Sequence, residues 1–84
     1  MADVFIRMPQ LREDFGNAGK STVREWVKQG LLTPPVLIGV QSKAWPKSEV
    51  ERIRAARIAG KAPAEIKALV AEMVEARSSM KEAA

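Results

Sequence analysis

Hydroxyl and cationic side chains are concentrated in one short segment, for which the sequence predicts a helix from Lys20 to Gln29. Its apolar residues recur at i, i+3 and i+4, so one face can pack while the other stays in solvent. The polar face carries Ser21, Thr22, Arg24, Glu25 and Lys28. Most of these groups donate hydrogen bonds to phosphates and base edges, which indicates recognition of a polyanion. An ordinary amphipathic surface helix, with a capping box between Thr22 and Glu25, fits the same pattern.

A β-hairpin pattern follows this helix directly. Gly30 is a good helix terminator, and the Thr-Pro-Pro sequence of residues 33–35 forces an extended exit. Residues 36–45 contain two extended runs around a turn, which is typical of an antiparallel hairpin. The tip is predicted to comprise Gln41, Ser42 and Lys43. These residues can reach phosphates or a minor groove, and they are also common in turns that bind nothing.

The composition of the chain argues against catalysis. Its 84 residues include no Cys and no His, which excludes disulfides, zinc fingers, thiol nucleophiles and imidazole bases. No carboxylates stand near a nucleophile or a set of metal ligands, so we expect neither an enzyme nor a cofactor or metal site. A chain of this size forms one small domain, whose modest core is often supplemented by a partner.

Basic charge is concentrated in the part of the chain that contains the helix and the hairpin. Residues 1–61 include eleven Lys or Arg and six Asp or Glu, whereas residues 62–84 include three and four. A solvated surface explains this excess as well as a binding site does. The amino terminus lacks the apolar core of a signal peptide, and the most apolar run, residues 31–40, is too short to span a bilayer. We therefore expect a cytoplasmic protein without a membrane partner.

Three further helices are predicted. Residues 9–15 form a short first helix that ends at Gly16, a third helix begins near Pro46, and the last begins near Pro63. The last helix has an unbroken apolar stripe consisting of Ile66, Leu69, Val70, Met73 and Val74. This stripe fits packing against its own domain and also fits a short coiled coil with a second chain. Residues 78–84 are expected to fray.

In order and spacing, these residues resemble the AlpA family of phage and mobile-element regulators. The resemblance covers roughly residues 5–58. It rests on Met8-Pro9-Gln10-Leu11, Phe15-Gly16, Ser21-Thr22-Val23, Trp26-Val27-Lys28-Gln29-Gly30, Pro35-Val36-Leu37-Ile38-Gly39, Ala44-Trp45 and Ser48-Glu49-Val50. The family usually carries Arg at the end of the hairpin, where this chain has Gln41 and Ser42.

The resemblance implies a mainly α fold with a small β-hairpin. Residues 1–61 would form a MerR-like winged helix-turn-helix, and residues 62–84 an additional amphipathic helix. Family members bind double-stranded DNA sequence-specifically, with the second helix in the major groove and the hairpin alongside as the wing. They act as transcriptional regulators, or as excisionases that bind repeated sites and bend attachment-site DNA. RNA polymerase or an integrase would be the protein partner.

The expected DNA contacts lie on the second helix and the wing. Lys20, Lys28 and Lys43 are expected to contact phosphates, Ser21, Thr22 and Arg24 to contact base edges, and Gln41 and Ser42 to form the wing tip. Trp26 and Trp45 are expected in the core. Binding as a homodimer or as a cooperative array stays open. So does a different function, that of an adaptor that binds another protein through its last helix.

Overall fold

Four helices surround a small antiparallel sheet in the computed structural model, which describes the backbone of residues 4–83 and the side chains of residues 4–79. In chain order the elements are β1 (Phe5–Ile6), α1 (Met8–Asp14), α2 (Lys20–Gln29), β2 (Val36–Leu37), β3 (Lys43–Pro46), α3 (Lys47–Ile58) and α4 (Pro63–Ala83). The expectation of a mainly helical chain with a small hairpin is therefore confirmed.

The sheet has three strands, because β1 adds to the predicted hairpin. The central strand, β3, pairs antiparallel with both neighbours: Phe5 with Pro46, Ile6 with Trp45, Val36 with Ala44, and Leu37 with Lys43. A strand as short as β1 shows no hydrophobic alternation, and its partner lies far along the chain. Sequence pattern therefore could not predict it.

A turn with unusual backbone geometry joins α1 to α2. Gly16 and Asn17 have φ angles of 72° and 61°, in the left-handed region that Gly and Asn enter more easily than other residues. The Asn17 N–H donates to the Arg12 carbonyl at 2.7 Å, and Arg12 Nε donates to the Ala18 carbonyl at 2.8 Å. Arg12 therefore holds the turn at two points, which determines where α2 begins.

The second helix, α2, begins and ends at the predicted residues. Gly30 terminates it with a φ angle of 80°, where the lack of a Cβ atom avoids strain. The prediction of a capping box between Thr22 and Glu25 is wrong, because the N-cap is Gly19 and Thr22 lies inside the helix. Glu25 instead accepts a hydrogen bond from Gln29 Nε2 at 3.0 Å.

One apolar core joins the sheet to the four helices. Its buried members are Ile6, Leu11, Val23, Leu32, Trp45, Val50, Ile53, Ile66, Val70 and Met73. The predicted core position of Trp45 is confirmed, and its indole N–H donates to the Thr33 carbonyl at 2.7 Å. Trp26 is only half-buried and packs against the edge of this core.

The last helix, α4, packs back onto its own chain. Three members of its apolar stripe are buried in the common core: Ile66, Val70 and Met73. Arg77 donates to the carboxylate of Glu49 on α3, with Nε 2.8 Å from Oε2. The helix extends through Ala83, and no Gly or Pro interrupts it. Ala84 lies outside the described residues.

Ile66→Ala tests the packing of α4. We expect the free energy of unfolding to fall by about 2–5 kcal/mol, because the substitution removes buried methylenes and leaves a cavity. Ile58→Ala is the matched control: Ile58 is 77% exposed, so the change should stay within about 0.5 kcal/mol. Urea denaturation followed by circular dichroism measures both. Equal effects, or a midpoint that depends on protein concentration, would contradict packing within one chain.

Candidate nucleic-acid interface

The predicted contact residues of α2 are all exposed, but they do not share one face. The inner face consists of Val23, Trp26 and Val27. Because each residue of an α-helix is rotated by about 100° from the last, Ser21, Arg24 and Lys28 lie together on the outer face. Thr22 lies on a flank about 160° from Arg24 around the helix axis. Lys20 occupies the first turn.

Arg24 of α2 and Lys43 of β3 line the same cleft between the helix and the sheet. This cationic cleft has a volume of about 260 Å³ and is lined by Met8, Val23, Arg24, Val27, Pro35, Lys43 and Trp45. Its lining is otherwise apolar, and both of its charged residues are cations. The fold thus brings together two cations that the sequence places on separate elements.

The cations of α2 and β3 make no other polar contacts in the described part of the chain. Within residues 4–79, no hydrogen bond or ion pair involves the side chains of Lys20, Arg24, Lys28 or Lys43. Ion pairs form instead between Lys47 and Glu51, Lys61 and Glu65, and Arg77 and Glu49. The hydrogen-bond donors of these four side chains therefore remain available for an anionic ligand.

The net charge of the whole chain resides in residues 20–47. These residues include five Lys or Arg and a single acidic residue, Glu25, which gives the net charge of +4 that the complete chain has. The other residues include nine basic and nine acidic side chains. The charge totals for residues 1–61 and 62–84 do not show this concentration, because acidic residues flank the segment on both sides. Positive potential is thus concentrated around α2 and the hairpin.

The hairpin closes through a short loop. The Ile38 N–H donates to the Ser42 carbonyl at 2.8 Å, which continues the register of β2 and β3. Gly39, Val40 and Gln41 remain as the loop, with Val40 at its centre. Gln41 is exposed and Ser42 is half-buried, so the predicted polar tip is only part of what this loop presents.

Exposed aliphatic side chains dominate the end of the hairpin. Val40 exposes 94% of its surface, Leu37 65% and Ile38 43%. Lys43, also exposed, pairs with Leu37 across the strands. The sequence predicts a polar tip, because a strand pattern does not reveal which of its apolar side chains stay uncovered.

Arg57 of α3 holds the carboxyl-terminal end of α2. Its guanidinium carbon lies 4.2 Å from the ring centroid of Trp26 and 5.1 Å from that of Phe15. The two rings meet edge to face at 5.5 Å between centroids. Arg57 Nη2 also donates to the Leu31 carbonyl at 3.5 Å, and burial lowers the pKa of the guanidinium. The pattern of α3 does not reveal this contact, since both rings come from other parts of the chain.

Two larger grooves are less suited to a polyanion. One, of about 680 Å³, lies beside β1, α1 and α3, and its lining includes three acidic residues, Glu13, Asp14 and Glu51, as well as three basic ones, Arg7, Lys47 and Arg54. The other, of about 490 Å³, lies between the sheet and α4, and its lining includes Glu49 together with Arg52 and Arg77. Arg77 is already paired with Glu49 there. In residues 4–83, moreover, no helix combines the length and apolarity that a membrane span requires. The side chains of residues 4–79 form no group of three or more carboxylates that could hold a metal ion.

Comparison with known proteins shows similarity to a phage protein. The chain is 37% identical over 57 residues to a protein of Enterobacteria phage P4 that is described as the uncharacterized protein ORF88. The matched residues cover 68% of this chain and 64% of the phage protein, so the chain spans slightly less than two thirds of that relative. No family model matches the chain. No solved structure matches it significantly.

Arg57→Lys tests whether the guanidinium holds α2 in place. The substitution retains the charge but removes the planar group that contacts both rings, so we expect the free energy of unfolding to fall by about 0.5–2 kcal/mol. Arg54→Lys, at an exposed position of the same helix, is the control and should change stability little. Chemical denaturation followed by tryptophan fluorescence measures both. Equal stability of the two variants would contradict this role of Arg57.

Proposed function

We propose that the chain binds double-stranded DNA sequence-specifically, and that α1, α2 and the β2–β3 hairpin act as a winged helix-turn-helix. In this arrangement α2 enters the major groove and the hairpin lies alongside as the wing. The observation that carries the proposal is the meeting of Arg24 and Lys43 at one cleft, inside the segment that holds the net positive charge of the chain.

The outer face of α2 provides both positioning and base contacts in the proposed complex. Lys20 and Lys28 neutralise phosphates, while Arg24 presents the two-pronged donor geometry that guanine accepts in the major groove. Ser21 lies beside Arg24 and contacts a base edge. Thr22 lies on the flank, so we assign it to the DNA backbone instead. Glu25, held by Gln29, repels phosphates and thereby weakens non-specific binding.

The wing completes the interface beside α2. Lys43, at the cationic cleft, contacts the phosphates that flank the major-groove site, and Gln41 and Ser42 face the adjacent minor groove. Arg57 contributes indirectly, since its contacts with Trp26 and the Leu31 carbonyl hold the end of α2. This division assigns affinity mainly to the lysines and sequence discrimination mainly to Arg24.

The similarity to a phage protein supports an origin in a prophage or an integrative element. The resemblance to AlpA-type regulators supports the same origin, and we propose transcription regulation as the function. An excisionase would use the same surface at several neighbouring sites. We do not extend the proposal to a protein adaptor, because three residues of the α4 stripe that motivates it are buried in this chain.

Selection of bound fragments from a random duplex pool, at near-physiological salt, tests the proposal. We expect recovery of a short recurrent motif. A single motif near a promoter would favour the regulator, whereas closely spaced copies with bent DNA would favour the excisionase. Binding without any motif that disappears as salt rises would reduce the interaction to charge attraction and contradict the proposal.

Two alanine substitutions on α2 separate discrimination from affinity. Arg24→Ala should cost about 1–3 kcal/mol at the selected motif and relax its sequence preference, because a base contact is lost. Lys28→Ala should weaken binding to all duplexes alike and reduce the salt slope by about 1. Lys61→Ala is the control, since Lys61 lies outside the charged segment and pairs with Glu65. Titration of labelled duplexes at several salt concentrations measures all three. Parent-like binding by both α2 variants would contradict the docking model.

A further inference from the structure

We propose that the end of the β2–β3 hairpin is an apolar wedge, in which Val40 enters the minor groove of bound DNA, opens one base step and bends the duplex. The inference rests on the proposed function. It adds a contact of a different kind, because the DNA-binding residues expected from the sequence are all polar or charged.

The position of Val40 is the first observation behind this inference. It stands at the centre of the hairpin loop and exposes 94% of its surface. Leu37, at the end of β2, and Ile38, which follows it, are also substantially exposed. Uncovered aliphatic surface is unfavourable in water by about 25 cal/mol per Å², so a surface that covers this apex would stabilise the complex.

Charge identifies DNA as the occupant. No carboxylate occurs between Glu25 and Glu49 in the sequence, so the hairpin itself contains no acidic residue and its charged side chain is the cation Lys43. Lys43 is directly opposite Leu37 across the hairpin. A second copy of the chain meeting the first at this place would bring two positive surfaces together and be repelled. DNA is a polyanion that also offers apolar surface inside its grooves. It therefore matches both the positive charge and the exposed aliphatic side chains of the hairpin.

The chemistry of the minor groove indicates where Val40 would enter. Aliphatic wedges between bases are a recurring means of bending DNA toward the major groove. Pyrimidine–purine steps such as TA open most easily, and an A·T pair lacks the amino group with which guanine obstructs the floor of the groove. We therefore expect a TA step beneath the hairpin in the selected site.

The decisive measurement is the bend of an end-labelled duplex that carries the selected site, read by fluorescence energy transfer. Val40→Ser should leave the duplex straighter and weaken binding about tenfold, whereas Val40→Leu should retain the bend. Ile58→Ser is the matched control, because Ile58 is a similarly exposed aliphatic residue at the end of α3. Circular dichroism is the control for folding. We expect each variant to fold, because the changes are at exposed positions.

Base analogues locate the contact independently of protein variants. Replacing A·T by inosine·cytosine beneath the hairpin retains the minor-groove atoms and should preserve the bend. Replacing it by diaminopurine·thymine adds an amino group to the minor groove and should remove the bend. Loss of bending with inosine·cytosine alone would place the contact in the major groove and overturn the wedge.

The outcomes distinguish the wedge from the proposed function. If the parent protein binds no duplex specifically, both are overturned. If it binds its motif but Val40→Ser bends the duplex equally, or if no bend occurs, the wedge alone is overturned. If Val40→Ser instead changes the monomer–dimer equilibrium in sedimentation without DNA, the apex contacts a second copy and the wedge is overturned in favour of self-association.

Discussion

The buried hydrogen bond from the Trp45 indole to the Thr33 carbonyl joins the hairpin to the chain that leaves α2. Trp45 also pairs with Ile6 in the sheet and lines the cationic cleft. The Thr33 carbonyl lies in the extended segment between α2 and β2, where no helix or strand supplies a backbone hydrogen-bond donor for it. The separation between α2 and the hairpin, and with it the spacing of Arg24 and Lys43, depends on this contact.

A second set of contacts holds α2 from the opposite direction. Arg12 closes the turn before the helix, and Arg57 lies over Trp26 near its end. Both guanidinium groups bind backbone carbonyls, so two arginines of this basic chain serve the fold rather than a ligand. Within residues 4–79 the cations of α2 and the hairpin have no such partner, and the same is true of Arg7, Arg52, Arg54 and Lys67. Structural and proposed DNA-binding arginines therefore cannot be separated by charge alone, and burial is what distinguishes them.

The hairpin combines two features that a purely structural turn does not require. It lacks any acidic residue, and it leaves aliphatic side chains uncovered at its end. Exposed aliphatic residues carry a cost in water that the small core of an 84-residue chain offsets only narrowly. An interface that needs both cations and apolar surface accounts for this combination, whereas electrostatic attraction alone accounts for the cations only.

Local pattern determined the bounds of α2, because its apolar period and Gly30 act within a few residues, and it likewise located the hairpin and the start of α4 at Pro63. The sequence also contained the charge distribution that marks the candidate surface. Only the tertiary structure decided that β1 joins the sheet, that Arg57 lies against two aromatic rings, and that Arg24 and Lys43 line the same cleft. It also decided that Thr22 lies on a flank and that Val40 stays uncovered. These features depend on which distant segments pack together, and hydrophobic periodicity carries no information about that choice.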